Sequence, residues 1–149
     1  MDITFYHLTK FPIVRALPQL ITKISELGER AFILCKDEKQ MLELDQLLWT
    51  MPSNAFIPHD TIKCSDPKAQ PLLLLTEIKE NLNNAKIAIN LTASQINENL
   101  NLKKYLYVFY GNEDEPEVVA TLNLYESYRG KDHKVNFWKQ DVQSKWIKQ

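Results

Sequence analysis

The chain has 149 residues, of which 44% are apolar and 25% are charged, and its formal net charge is −1. A chain of this length buries roughly 70% of its unfolded surface in one core, without help from a metal or a disulfide. The charge balance excludes a generally basic nucleic-acid coat and a membrane-surface protein, because both need a sustained excess of one sign.

The rarer residue types narrow the possible functions further. Gly28, Gly111 and Gly130 are too far apart to form a phosphate-binding loop, a dinucleotide fingerprint or the turn that exposes a hydrolase serine. Cys35 and Cys64 form no close pair, and Cys35 ends an apolar run, so we expect a buried thiol in a reducing compartment. There is no export signal and no run of about 18 apolar residues, so we expect a cytoplasmic protein.

The first third of the chain predicts two strands around a helix. Ile3–Leu8 alternates and is rich in aromatic and branched residues, which is typical of a strand. Apolar positions then recur at helical spacing up to Gly28, and Pro18 either kinks this helix or lies in its first turn. Ala31–Cys35 is wholly apolar, as in a strand buried on both faces. The three elements predict a parallel pair of strands with a right-handed crossover.

A second helix is predicted directly after this strand. Asp37 can cap the helix, and Gln40 follows three residues later as in a capping box. Met41, Leu44 and Leu48 then recur on one face, which indicates that this face packs on the core.

The loop after this helix combines prolines with large apolar side chains. Its notable residues are Trp49, Met51, Pro52, Phe56, Ile57 and Pro58. The prolines prevent further helix, and the apolar groups are costly to leave in water. Phe56 and Ile57 belong either to the core or to a surface that a partner covers, whereas Trp49 and Met51 favour the partner-binding surface.

The middle of the chain alternates polar connections with short apolar runs. Residues 60–71 are polar and contain prolines, which predicts an exposed connection. Leu72–Leu75 is either a strand or the start of a helix through Glu80, whereas Lys86–Leu91 and Tyr105–Tyr110 are strand candidates. Residues 92–102 are polar and have room for one helical turn.

The last third predicts a helix followed by a basic segment. Acidic residues and Pro116 precede a helix from Val118 to about Arg129, because acids and proline are favoured where a helix begins. From Arg129 onward there are six cations against two acids. The large aromatic residues of this segment are Phe137, Trp138 and Trp146. This basic aromatic segment has three interpretations. It is a solvated surface whose tryptophans pack inward, a platform that binds single-stranded nucleic acid, or a pocket that binds an acidic peptide with an apolar end group.

The sequence contains no catalytic constellation. His7, His59 and His133 are far apart along the chain and have no cysteine at metal-ligand spacing. His59 is either a buried hydrogen-bonding group that fixes the loop or a catalytic base, and the absence of an accompanying nucleophile favours the first. An α/β scaffold without a phosphate-binding loop indicates an interaction module, with a degenerate nucleotide-binding enzyme as the alternative.

Three segments together resemble a known family. Residues 37–40 read Asp-Glu-Lys-Gln, and the same stretch continues with Trp49, Pro52, Phe56, Pro58 and His59. The strand Ile3–Tyr6 and the segment Tyr125–Arg129 fall at similar positions in that family. In these features the chain resembles the chi subunits of bacterial DNA polymerase III. The members of that family are accessory proteins of the clamp loader.

The resemblance implies a single-domain, Rossmann-like, three-layer α/β fold over residues 1–149, with a mainly parallel central sheet. It implies a non-catalytic role in the bacterial replisome, without a cofactor or metal. The implied partners are the psi subunit of the clamp loader and the acidic, phenylalanine-ended tail of single-stranded DNA-binding protein, so that DNA is reached only indirectly. Direct binding of single-stranded DNA is the alternative.

The resemblance also implies two sets of contact residues. The psi contacts would be Trp49, Met51, Pro52, Phe56 and Pro58. The tail site would comprise Tyr110, Leu122, Tyr125, Arg129, Lys131 and Lys134. The family places basic residues one and two turns before Tyr125, where this chain has Leu122 and Val118, so we expect Lys131 or Lys134 to supply the missing charge.

Overall fold

The structure, a computed structural model, describes residues 1–51, 57–95 and 97–149. Within these ranges strands and helices alternate along most of the chain. The strands are β1 (Asp2–Leu8), β2 (Ala31–Leu34), β3 (His59–Thr61), β4 (Leu72–Leu75), β5 (Ile87–Asn90), β6 (Lys104–Tyr110), β7 (Lys134–Gln140) and β8 (Trp146–Lys148). The helices are α1 (Ile13–Glu26), α2 (Glu38–Trp49) and α3 (Pro116–Arg129), with short 3-10 turns at Pro67–Ala69 and Glu98–Leu100.

The described strands form one sheet in the order β3-β4-β2-β5-β6-β1-β7-β8. Every neighbouring pair is parallel except β7 and β8, which form an antiparallel hairpin. The prediction of an α/β fold with a mainly parallel sheet is therefore confirmed.

The predicted pairing of the first two strands is wrong. β1 and β2 run parallel in the same sheet, but β5 and β6 lie between them. β1 instead pairs with β6 and β7, which come from the last third of the chain. The local sequence predicts that a segment is a strand, but it does not predict which distant strand will pair with it. The neighbours of β1 could therefore not be predicted.

The core lies on both faces of the sheet, as expected for three layers. On one face the buried helix residues are Leu17, Ile21 and Ile24 of α1 and Met41, Leu44 and Leu48 of α2. On the other face α3 contributes Val118 and Tyr128. Successive strand residues alternate between these two clusters, because side chains of a strand point to opposite faces.

The predicted start of α2 is confirmed. The Asp37 side chain accepts a hydrogen bond from the backbone N–H of Gln40 at 2.8 Å. The Gln40 side chain accepts in turn from the N–H of Lys36 at 2.8 Å, one residue before the expected capping-box partner. These bonds satisfy backbone donors that a helix start would otherwise leave unpaired.

The prediction that Pro18 lies in a first helical turn is wrong. α1 begins at Ile13, which leaves Pro18 inside the helix. Proline has no N–H to donate to the carbonyl four residues earlier, so α1 lacks one internal hydrogen bond. The helix persists because Leu17 and Ile21, on either side of Pro18, are buried in the core. Gly28 follows the helix at φ 71°, as the sequence predicts.

Residues 60–71 are less exposed than predicted. β3 begins at His59 and extends to Thr61, and both of these side chains are buried beside β4. Leu72–Leu75 is a fully buried strand, which resolves the open choice between strand and helix. β3 was missed because three residues are too few to show the alternation of apolar and polar side chains that indicates a strand.

The hairpin of β7 and β8 was not predicted. Its sequence reads as a basic segment with scattered aromatic residues. In the structure β7 continues the sheet parallel to β1, with Phe137 buried on the α3 face. Pairing with β1 gives order to a segment whose own pattern is weak.

Candidate partner-binding sites

The first candidate site lies at the end of α2. Trp49 is the last residue of the helix and keeps 53% of its surface exposed. Met51 is half-buried, Pro58 is exposed, and Ile57 is buried in the core. Pro52 and Phe56, the other two predicted psi contacts, lie outside the described residues. We refer to Trp49, Met51 and Pro58 as the Trp49 surface.

His59 holds the Trp49 surface in place. Its ring is buried, and Nδ1 donates a 2.8 Å hydrogen bond to the carbonyl of Ile57. Its Nε2 lies 3.3 Å from the Asp45 carboxylate on α2. The Trp49 ring lies 4.9 Å from the His59 ring, measured between centroids. These contacts support a structural role for His59, because they tie the strand that follows the loop to the helix that precedes it.

The second candidate site lies at the carboxyl end of α3. Tyr125 is half-buried, with its ring edge-on to Phe5 and Phe137 at centroid distances of 5.4 and 4.7 Å. The Arg129 guanidinium lies 5.3 Å from the centre of the Tyr125 ring. Arg129 also forms an exposed ion pair with Glu126 at 3.3 Å. The sequence analysis missed Glu126 as the partner of this cation, although a spacing of three residues on a predicted helix indicates such a pair. We refer to Leu122, Tyr125 and Arg129 as the Tyr125 surface.

The remaining predicted tail residues are divided between the two ends of the sheet. The Lys131 ammonium lies 5.6 Å from the Tyr128 ring centre, and Lys134 is exposed at the start of β7. Tyr110, by contrast, aligns with the last residue of β1, whereas Lys134 aligns with the first. Six residues of strand, or about 20 Å, separate those two levels, and Tyr125 contacts Phe5 midway between them. Tyr110 follows Phe109, which faces α3, so the alternation of β6 directs the Tyr110 side chain to the α1 face, away from Tyr125. Lys131 contacts Tyr128, which packs in the same cluster as Tyr125.

The α3 face one and two turns before Tyr125 is apolar. Val118 is fully buried, and Leu122 is half-buried against the same cluster. A lysine at either position would have to place its charge at the edge of this core, which is costly. On α3 itself, the cation that accompanies Tyr125 is therefore Arg129, one turn later.

The basic aromatic segment is split by the alternation of β7. Phe137 faces α3, whereas the cleft on the opposite face is lined by Trp138 and Trp146. Trp146 keeps 39% of its surface exposed, which argues against inward packing of that side chain. The segment is thus not one surface, and only its Phe137 side adjoins the Tyr125 surface.

The described residues offer little for catalysis. A cavity near the carboxyl ends of β5 and β6, where α/β folds usually bind ligands, has a volume of about 40 Å³. That is far below the roughly 300 Å³ at which small-molecule pockets begin. Burial raises the pKa of the Cys35 thiol to about 12, so it is not a nucleophile at neutral pH. Across residues 1–51, 57–95 and 97–149, no cluster of three or more acidic, histidine or cysteine side chains could hold a metal ion.

The same ranges contain no helix that is both long and apolar enough to cross a membrane.

Comparison with known proteins gives consistent matches. The family model described as DNA polymerase III chi subunit, HolC, matches residues 1–136. The probable DNA polymerase III subunit chi of Rickettsia prowazekii (strain Madrid E) is 26% identical, over 97% of this chain and 90% of that protein. The DNA polymerase III subunit chi of Escherichia coli (strain K12) is 39% identical over 38% of this chain and 44% of its own length. The subunit of the same name from Haemophilus influenzae (strain ATCC 51907 / DSM 11121 / KW20 / Rd) is 32% identical over 48% of this chain and 50% of its own length.

Proposed function

We propose a docking role for this chain, which belongs to the DNA polymerase III chi subunit family. Members of this family are non-catalytic accessory subunits of the DNA polymerase III holoenzyme, so the chain takes part in DNA replication by binding other proteins. In this proposal it works in the cytoplasm and links the clamp loader, through the psi subunit, to the tail of single-stranded DNA-binding protein.

The Trp49 surface is the proposed psi contact, and the exposure of Trp49 is the observation that carries it. An indole that keeps 53% of its surface exposed presents a large apolar area that a partner can bury. Tryptophan is among the residues that contribute most to protein interfaces when a partner buries it. Its contact with the buried His59 ring holds the indole in one orientation before the partner arrives.

Replacement of Trp49 by alanine tests this contact. We expect the variant to lose co-elution with purified psi subunit, while the free energy of unfolding falls by about 1 kcal/mol or less, because the side chain is largely exposed. Leu42→Ala is the matched control, since Leu42 is a half-exposed apolar residue of the same helix outside the proposed contact. If Trp49→Ala unfolds the chain, or still co-elutes with psi, the contact is misplaced.

The Tyr125 surface is the proposed site for the acidic tail. The Tyr125 ring packs edge-on against Phe137, and the Arg129 guanidinium lies 5.3 Å from the centre of the Tyr125 ring. A terminal phenylalanine would pack on the exposed part of Tyr125, and a carboxylate of the tail would replace Glu126 as the partner of Arg129. Lys131 and Lys134 would attract the rest of the acidic segment, whereas Tyr110 is directed to the opposite face of the sheet and does not join the same contact.

A labelled peptide with the acidic, phenylalanine-ended tail sequence tests this site by fluorescence anisotropy. Arg129→Gln should weaken peptide binding about tenfold, because a hydrogen bond to a charged group contributes about 1.5 kcal/mol or more. Lys39→Gln is the control, since Lys39 is an exposed cation on α2, which packs on the opposite face of the sheet. Equal affinity for Arg129→Gln and the unmodified chain would rule out this site.

Two rival functions make different predictions. A degenerate nucleotide-binding enzyme would release or absorb heat when titrated with ATP, whereas we expect none, because the three glycines are too far apart to form a phosphate-binding loop. A direct binder of single-stranded DNA would bind a bare oligonucleotide with a steep dependence on salt. A protein with a net charge of −1 lacks the excess of cations that such binding requires.

A further inference from the structure

In the described part of the chain, one region of the sheet has no helix over it on the α1 face. On that face α2 contacts β3 and β4, and α1 contacts β6. Strands lie about 4.8 Å apart and a helix is about 10 Å wide, so each helix covers roughly two strands. Beyond α1 the sheet continues with β1, β7 and β8. Among the described residues no helix lies over β7 and β8 on this face.

The uncovered area forms a cleft of about 550 Å³ between α1 and the β7–β8 hairpin. Leu8, Val108 and Leu17 give it an apolar floor. Trp138 and Trp146 line the hairpin side, and the Trp146 ring meets the Tyr6 ring edge-on at a centroid distance of 5.4 Å. The cleft therefore presents aromatic surface to solvent in the layer where the fold elsewhere places a helix.

The α1 side of the cleft is basic. Arg15, Gln19 and Lys23 are exposed and four residues apart, so they form a stripe about 12 Å long on one face of the helix. The residues that line the cleft include no aspartate or glutamate. Across the cleft, Lys148 pairs with Trp138 in the hairpin and so lies on the same face of the sheet. An occupant with one acidic flank would meet cations along its length.

We propose that this cleft receives an amphipathic α-helix from another protein, with apolar side chains on the indoles and acidic side chains along the α1 flank. Such a helix would lie 8–10 Å from α1, the usual distance between packed helices, and would complete the helix layer over β1, β7 and β8. This occupant goes beyond the proposed function. The Trp49 surface lies at the opposite edge of the sheet, beside β3, and the Tyr125 surface lies on the opposite face.

The lining favours a helix over single-stranded nucleic acid. The floor is aliphatic, and the polar edges of nucleobases would lose hydrogen bonds to water against it. Two cations on α1 would also neutralise few phosphates, whereas nucleic-acid affinity rises with the number neutralised.

The test uses two designed, fluorescein-labelled helical peptides of about 18 residues, long enough to form helix in water. Both carry leucines on one face; one has glutamates along a flank, and the other has lysines there. We expect the acidic peptide to bind the full chain at least tenfold more tightly than the basic one. The double variant Arg15→Glu and Lys23→Glu should lose at least tenfold in affinity for the acidic peptide. The double variant Lys39→Glu and Lys68→Glu changes the net charge equally at exposed sites outside the cleft, and its affinity should stay within twofold.

Each other outcome overturns the proposal. No binding of the acidic peptide, equal binding of both peptides, or equal losses in the two double variants would show that the cleft does not select an acidic helix. Light scattering that shows a dimer, abolished by the Arg15 and Lys23 substitutions, would assign the cleft to a second copy of this chain. Displacement of the acidic peptide by an oligothymidylate would assign it to nucleic acid. Thermal melting of both double variants confirms that they are folded.

Discussion

The buried side chain of His7 makes the stability of the fold depend on pH. Its Nε2 lies 2.8 Å from the carbonyl of Gly111, and because a carbonyl only accepts, this nitrogen carries the proton. The ring stacks on Phe109 at a centroid distance of 4.6 Å. Burial lowers the pKa of His7 from its ordinary 6.5; the Gly111 hydrogen bond opposes this shift, and Lys139 adds to it.

The lowered pKa predicts that stability falls in mild acid. Below about pH 6.5 the unfolded chain binds a proton at His7 more readily than the folded chain, so the free energy of unfolding drops as pH falls through that value. His7→Gln removes this group, and its urea midpoint should fall less than that of the unmodified chain between pH 7.5 and 5.5. Leu42→Ala removes no titratable group and serves as the control, so its midpoint should follow that of the unmodified chain. Parallel decline in all three proteins would show that His7 does not contribute.

Pro18 gives a prediction at the scale of one element. Pro18→Ala would restore the missing backbone hydrogen bond in α1, so we expect the free energy of unfolding to rise by about 1 kcal/mol, measured by urea denaturation. Pro116 occupies the first turn of α3, where no hydrogen bond is lost, so Pro116→Ala should leave stability nearly unchanged or slightly lower it. Destabilisation by Pro18→Ala would mean that the core requires the bend that proline imposes.

Elements whose signals are local could be predicted from the sequence. The Asp37 cap, the apolar face of α2 and the left-handed Gly28 each depend on residues within one or two turns. The short strand β2 was recognisable because both faces of a central strand are apolar, whereas the equally apolar run of β4 fitted a strand and a helix alike.

Elements whose conformation depends on contacts with distant parts of the chain could not be predicted. β7 has no clear alternation of its own, and it becomes a strand by pairing with β1, which lies more than 120 residues earlier in the chain. The interior position of Pro18 has the same origin, because tertiary burial of α1 outweighs the local preference of proline.

The candidate sites were predictable to a similar degree. The exposed Trp49 could be anticipated, since an indole beside prolines is hard to place in a core. The neighbourhood of Tyr125 and Arg129 followed from their spacing of one helical turn. The separation of Tyr110 from the Tyr125 surface depends on how β6 is placed in the sheet, and the cleft beside α1 depends on a hairpin that the sequence did not reveal.

At the scale of the whole molecule, the proposed surfaces are well separated. The Trp49 surface adjoins β3 at one edge of the sheet, and the Tyr125 surface lies on the α3 face beside β7. One chain can therefore hold two protein partners at once without a conformational change, which is the arrangement that a bridging subunit needs.

Salt should affect the two proposed contacts differently. The Tyr125 surface relies on exposed cations, which ions in solution screen, whereas the Trp49 surface relies on apolar burial. We expect the dissociation constant for the acidic tail peptide to rise severalfold between 50 and 300 mM sodium chloride, roughly as expected from shortening of the Debye length. Titration calorimetry with psi over the same range should show a change of less than about twofold. Equal losses at both sites would contradict the division into one polar and one apolar contact.

The central claim is that this chain bridges two proteins through two independent surfaces. The most direct measurement is quantitative mass spectrometry of the proteins that co-purify from the native cell with the unmodified chain, with Trp49→Ala and with Arg129→Gln. The account predicts that the unmodified chain recovers both the psi subunit and single-stranded DNA-binding protein. Trp49→Ala should lose psi alone, and Arg129→Gln should lose single-stranded DNA-binding protein alone. Recovery of neither protein by the unmodified chain, or loss of both in either folded variant, would contradict it.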